Sequence, residues 1–244
     1  MLGDGALGAR TAFLSIPYAD DSTTYGIPVY SKELMEAMIS YANQNNMQVA
    51  VHTIGDACLD WVLGAYEKAL VEYPREDHRH GIVHCQIMRA DQWEKIEKLK
   101  LHVYAQTIFL DYDINIVKER VGEDLAQTSY AWKTLMKRGV TVSNGSDAPV
   151  EFPDVMAGIQ CAVTRKTLNG QKEYLPEEAF TVKEAIDSYT VQGARASFEE
   201  EKKGKIKEGM FADFVILDEN LFEVSKERIK EVKILETYLG GKLV

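Results

Sequence analysis

Gln48-Val49-Ala50-Val51-His52-Thr53 and Gly81-Ile82-Val83-His84-Cys85-Gln86 are two short apolar runs, each carrying a histidine near its C-terminal end. His102-Val103-Tyr104-Ala105-Gln106-Thr107 and Gly139-Val140-Thr141-Val142-Ser143-Asn144-Gly145 repeat the pattern further along. Each run is bounded by turn or polar residues. That predicts short buried strands of a parallel sheet covered on both faces. Helical patterns separate them. Ser31 is placed to cap a helix through about residue 45, with Leu34, Met38, Ile39 and Ala42 on one face. Residues 57–72, 90–100 and 124–138 predict further helices. Strand and helix in alternation predict the α/β class.

From Glu199 the chain changes character. Glu199-Glu200-Glu201-Lys202-Lys203 reads as a charged hinge. After it, Gly204-Lys205-Ile206, Asp213-Phe214-Val215-Ile216-Leu217-Asp218, Val232–Leu239 and Lys242-Leu243-Val244 read as short strands with Gly turns. The expected organisation is therefore residues 1–198 as the main domain and 199–244 as a small β portion. The 244 residues include 28 Lys plus Arg against 38 Asp plus Glu, a formal charge of −10. This acidic balance argues against a nucleic-acid partner, because phosphate neutralisation needs a basic face. No apolar run approaches the roughly 20 residues of a membrane helix, and the Met1–Gly5 start lacks the regions of a signal peptide. Cys58, Cys85 and Cys161 match no zinc-ribbon spacing. They read as reduced thiols of a cytoplasmic protein.

The chemistry is expected at strand ends, where parallel α/β barrels carry their reactive residues. His52 closes Val49-Ala50-Val51, His84 follows Ile82-Val83, and Asp147 follows Val140–Gly145. Two imidazoles and a carboxylate converging on one rim suit a divalent cation such as Zn²⁺. Such a cation lowers the pKa of its water to about 7, and an adjacent Asp can take that water's proton and pass it to a leaving group. Taken singly, each His is better read as a buried core residue and Asp147 as the start of the turn at Ala148-Pro149. Their shared strand-end position favours a site.

Further motifs occur in order: Asp4-Gly5-Ala6-Leu7-Gly8-Ala9-Arg10-Thr11-Ala12, His52-Thr53-Ile54-Gly55-Asp56-Ala57, Val83-His84-Cys85-Gln86, Gly145-Ser146-Asp147-Ala148-Pro149-Val150, Thr190-Val191-Gln192-Gly193-Ala194 and Gly209–Val215. With these, almost the whole chain resembles the amidohydrolase superfamily, nearest to its YtcJ-like metal-dependent hydrolases. The resemblance implies a (β/α)₈ barrel, a β-sandwich built from both chain ends, one or two divalent metals, and hydrolysis of carbon–nitrogen bonds outside peptides. By position, His52 matches the metal-ligand His after the family's fifth barrel strand and His84 the one after the sixth. Asp147 matches the Asp after the eighth, which binds metal and shuttles the proton.

The sequence departs from that family in lacking the first strand's His-x-His pair. His78-Arg79-His80 is the one such pattern, and it reads as a solvated loop before a strand. The family's bridging Lys would lie just upstream of Asp4. Four strands are visible where a barrel needs eight. The expectation is an incomplete TIM barrel, about its second half, followed by a C-terminal part of the sandwich. A chain of this kind is expected to bind zinc weakly, to hydrolyse little, and to self-associate as a homo-oligomer through open strand edges. A non-catalytic, self-associating α/β fragment is the second reading. A dinucleotide enzyme built on Gly3-Asp4-Gly5-Ala6-Leu7-Gly8 is the third, weakened because no strand precedes the motif and Pro17 cuts a following helix short.

Lesser candidates complete the reading. Arg10 can meet a small-molecule substrate's anion or form a surface salt bridge, the salt bridge being favoured. Cys58 and Cys85 are better read as buried apolar residues than as nucleophiles. Asp56 either orients His52 or caps the next helix, with the cap favoured. His102 reads as a surface residue. Trp61, Trp93 and Trp132 read as core packing, and Met35, Met38 and Met47 as gap-fillers. Arg165 either faces the site or lies on a helix surface.

Overall fold

All four apolar runs form strands in the protein, described here for residues 1–244 by a computed structural model. They are β1 (Ala50–Thr53), β2 (Gly81–His84), β3 (His102–Ala105) and β4 (Thr141–Asn144), in one sheet ordered β1-β2-β3-β4. β1 pairs parallel with β2 in a register that sets Val51 beside Ile82 and Thr53 beside His84. β2 pairs parallel with β3, Val83 beside Tyr104. The fold is thus α/β with a parallel sheet, and the C-terminal ends of β1 and β2 lie side by side. Residues 1–3 run parallel beside β1: the Gly3 amide donates to the His52 carbonyl at 2.9 Å and the His52 amide to the Met1 carbonyl at 2.8 Å. Gly3 permits this approach, since a Cβ there would stand 2.6 Å from both Cys58 Sγ and the His52 carbonyl.

The chain divides into two compact units. The first holds Met1–Ala105 and Asn115–Val142, the second Gln106–Ile114 and Ser143–Val244. In the first unit, α1 (Lys32–Gln44) starts at Ser31, whose side chain accepts the Leu34 amide. α1 packs on α2 (Asp56–Glu72), and α3 (Ala90–Lys98) follows β2. The buried face of α1 is Met35, Ile39 and Asn43; of the expected Leu34, Met38, Ile39 and Ala42 only Ile39 is buried, and Leu34 is 48% exposed. Asn43 lies on that face. Its amide donates to the carbonyls of Ala69 and Tyr73 at 2.9 and 2.8 Å, fixing a polar residue against α2.

α4 (Leu110–Asp113) belongs to the second unit, and α5 (Val117–Ala126) and α6 (Trp132–Lys137) to the first. Residues 124–138 are therefore not one helix: α5 ends at Ala126, and Tyr130 turns the chain at φ 55°. In the second unit, α7 (Val155–Thr164) is capped by Asp154, which accepts the Ala157 amide at 3.0 Å. α8 (Val182–Tyr189) begins with a reciprocal Thr181–Glu184 cap, and α9 (Val191–Ala196) follows. β5 (Phe214–Leu217), β6 (Ile234–Leu239) and β7 (Lys242–Leu243) form a separate antiparallel sheet. No strand forms at Lys205-Ile206, and Ile206 is 87% exposed. No helix is long and apolar enough to cross a membrane.

Several polar residues lie deeper than their sequence context predicts. His78 and His80 are buried rather than in a solvated loop. His80 Nδ1 accepts the Val49 amide at 3.1 Å, Nε2 faces Asn43 Oδ1 at 3.0 Å, and the ring stacks on Tyr66. His78 Nδ1 accepts the His80 amide while Nε2 faces the Leu99 carbonyl. With each ring nitrogen engaged by the chain, this pair is structural. His102 is likewise buried, against Tyr104, not at the surface. Arg165 is buried too, its Nε donating to the Tyr174 carbonyl at 3.0 Å. Met47 is 57% exposed and fills no gap.

Candidate metal centre

His52 is the third residue of β1 and His84 the last of β2, so the parallel register brings them to one rim. Their ring centroids stand 4.5 Å apart, edge to face at 77°. His84 is buried and His52 half-buried. His52 Nδ1 lies 3.2 Å from Asp4 Oδ1, outside hydrogen-bond alignment, and is buried without an aligned partner. Asp4 itself cannot turn. Its Oδ2 accepts the amides of Phe13 at 2.9 Å and Gly55 at 2.7 Å, and its Oδ1 accepts that of Ile54 at 3.0 Å.

Beyond β2 the backbone turns sharply, with φ of 71° at His84 and 51° at Cys85. Non-glycine residues rarely occupy this left-handed region. The Trp132 indole N–H spans both carbonyls, at 3.0 Å from His84 O and 3.0 Å from Cys85 O.

Asp147 belongs to the second unit, three residues beyond β4, exposed and at φ 57°. Its carbonyl accepts the Val150 amide at 2.9 Å, closing the turn. The turn is braced from Asn144, whose Oδ1 accepts the Thr107 and Gly145 amides at 3.1 and 3.0 Å. Within either unit, no three His, Cys, Asp or Glu side chains are gathered as a metal-binding group. Two imidazoles at adjacent strand ends, one with a buried nitrogen lacking an aligned partner, do fit the donor chemistry of a divalent cation.

The model of an amidohydrolase family matches residues 1–244. This chain belongs to that amidohydrolase family. It is 37% identical over 247 residues to the Bacillus subtilis (strain 168) protein YtcJ, named as an amidohydrolase, covering 100% of this chain and 46% of YtcJ. A solved metal-dependent hydrolase of Pyrococcus horikoshii OT3 is 34% identical with a TM-score of 0.81, over 92% of this chain and 45% of that one. Its counterpart from Pyrococcus furiosus is 35% identical with a TM-score of 0.79, over 91% and 44%. The chain thus spans less than half the length of these relatives.

In this amidohydrolase-family chain, Arg10 is engaged within the protein. Its guanidinium grips Asp20 through Nε at 3.0 Å and Nη2 at 2.7 Å, and Arg120 binds the same carboxylate. Asp56 neither caps α2 by its side chain nor orients His52. It accepts the Ser15 amide and hydroxyl at 2.9 and 2.5 Å and Arg89 Nη1 at 2.6 Å. The cysteines are all free and buried. Burial pushes the Cys85 and Cys161 thiols up to about 12, and pushes Cys58 up as well, so none is a thiolate at neutral pH.

A recess of about 670 Å³ opens in the first unit, lined among others by Ser15, Pro17, Arg89, Val121, Leu125 and Thr128. Thr128 donates to the Met88 carbonyl at 2.6 Å, tying the recess to the segment that leaves His84. Sequence reasoning missed Asp4, Trp132 and the Ser15–Asp56–Arg89 set as supports of this rim. Asp4 opens a motif that the sequence displays, but the amide partners that give it a role come from residues up to 51 positions away.

Proposed function

We propose that this chain contributes to a metal-dependent hydrolase that cleaves carbon–nitrogen bonds other than peptide bonds in a small-molecule substrate. The observation that carries the reading is the His52–His84 pair at the C-terminal ends of adjacent parallel strands. Family membership supports it. In this reading the parallel sheet is part of a (β/α)₈ barrel, whose chemistry lies at that rim, and β5–β7 are part of a β-sandwich.

His52 and His84 would hold the cation, zinc in this proposal, through ring nitrogens. When bound, a divalent cation lowers the pKa of a water to about 7 and so supplies a nucleophile at neutral pH. The family resemblance gives Asp147 the role of the carboxylate that accepts such a water's proton and returns it to the leaving nitrogen. Asp4, immobilised by its three amides, keeps the backbone after His52 in place. Reduced, unreactive thiols suit a cytoplasmic setting.

Zinc K-edge X-ray absorption on the zinc-loaded chain tests this. The proposal expects imidazole scattering from two ligands with the remainder oxygen. Sulfur scattering, or a spectrum unchanged in His84→Ala, would contradict it.

The second reading, self-association, draws on the β5–β7 sheet. Val215, Ile216, Ile234, Leu235, Leu239 and Leu243 are each at least 41% exposed there, an unusual clustering of apolar side chains. It is compatible with the first reading, and the two are tested separately.

A further inference from the structure

The corner after β2 is the most constrained backbone near the histidine pair. His84 and Cys85 both lie in the left-handed region, at φ 71° and 51°. Such a pair persists only where the surroundings overdetermine it. The corner's hydrogen-bond partners come from the Tyr130–Trp132 segment and from the end of β1. Trp132, fully buried, donates its single N–H to both corner carbonyls at 3.0 Å. Two residues earlier, the Tyr130 amide donates to Gln86 O at 2.6 Å, and the Tyr130 ring meets Trp132 edge-on at 5.4 Å. The Cys85 amide is held in turn by the Thr53 carbonyl at 3.1 Å, directly after His52.

We infer that Trp132 is the positioning residue for His84: its indole N–H sets the corner from which the imidazole projects, and with it the angle between the His84 and His52 rings. The indole N–H acts through these two backbone carbonyls. Its link to metal binding rests on the proposed function above. The link to ring orientation does not.

The test compares Trp132→Phe with a matched control. Trp132→Phe keeps an aromatic ring and removes the donor. Tyr66→Phe removes a hydroxyl that likewise serves two carbonyls, Val49 O at 3.0 Å and Gly81 O at 2.7 Å, at the opposite ends of β1 and β2. Both variants are expected to lower the thermal midpoint. Only Trp132→Phe is expected to shift or broaden the His84 ring signals in ¹H–¹³C NMR of the full chain. It is also expected to weaken zinc binding by about tenfold, as loss of outer support commonly does. In the wild type, zinc is expected to move the Trp132 indole N–H signal more than those of Trp61 and Trp93. This readout needs no variant to fold. His84 ring signals unchanged in Trp132→Phe, or shifted equally in Tyr66→Phe, would overturn the inference. If those signals move but His84→Ala binds zinc as the wild type does, the positioning role stands and the metal reading fails.

Discussion

Asp4 shows how much one residue can organise. Its buried carboxylate satisfies the amides of Phe13, Ile54 and Gly55. Removing an acceptor from a buried amide costs about 1–3 kcal/mol each. Asp4→Ala is therefore expected to lose on the order of 3 kcal/mol in urea unfolding, with Asp4→Asn losing less. A loss below about 1 kcal/mol would show that water replaces the carboxylate. His80 makes the second residue-scale prediction. Burial above all, with His78 and Arg75 nearby, holds its pKa at about 3, and His78 is shifted in the same direction. The unfolded chain binds the proton more readily, so this stability is present above pH 6.5 and is lost as pH falls towards 3. Thermal midpoints measured from pH 7 to 5 should fall, and His80→Asn should flatten that slope. Neither residue was legible as a support in the sequence. A histidine's burial depends on partners such as Asn43 and Val49, 37 and 31 residues away.

At the scale of elements, the strands were legible because short apolar runs between turn residues admit few alternatives. The helix start at Ser31 was legible from its capping side chain. What failed was continuity and phase. Residues 124–138 carry helical composition throughout, yet Tyr130 at φ 55° divides them so that its amide can reach Gln86. The start of α2 shows the same dependence on distant chain. The Ala57 and Cys58 amides both donate to the Phe13 carbonyl at 3.2 Å, in place of a side-chain cap. Gly55 makes room for that contact, since a Cβ there would stand 2.0 Å from Phe13 O and 2.4 Å from Phe13 C. Gly55→Ala must therefore move backbone and is expected to cost about 2 kcal/mol or more. An unchanged denaturation midpoint would refute this packing.

For the whole molecule, the exposed apolar residues of β5–β7 predict association of the 27.5 kDa chain. Analytical ultracentrifugation should give a mass above the monomer, and Ile216→Lys with Leu235→Lys should return it towards 27.5 kDa. A wild-type monomer at high concentration would contradict the expectation. Thiol labelling gives an independent check on the interior. All three cysteines should react slowly in the native chain and at once in denaturant. Of the candidate site, the adjacency of His52 and His84 was legible from strand-end position, whereas their supports were not, because Asp4 and Trp132 act through partners 51 and 48 positions distant. The central claim is that the two imidazoles form a cation site, and calorimetric zinc titration of the wild type, His52→Ala and His84→Ala reads it most directly. The account predicts weak binding of one zinc per chain, reduced at least about tenfold by either substitution. Equal isotherms for all three proteins would contradict it.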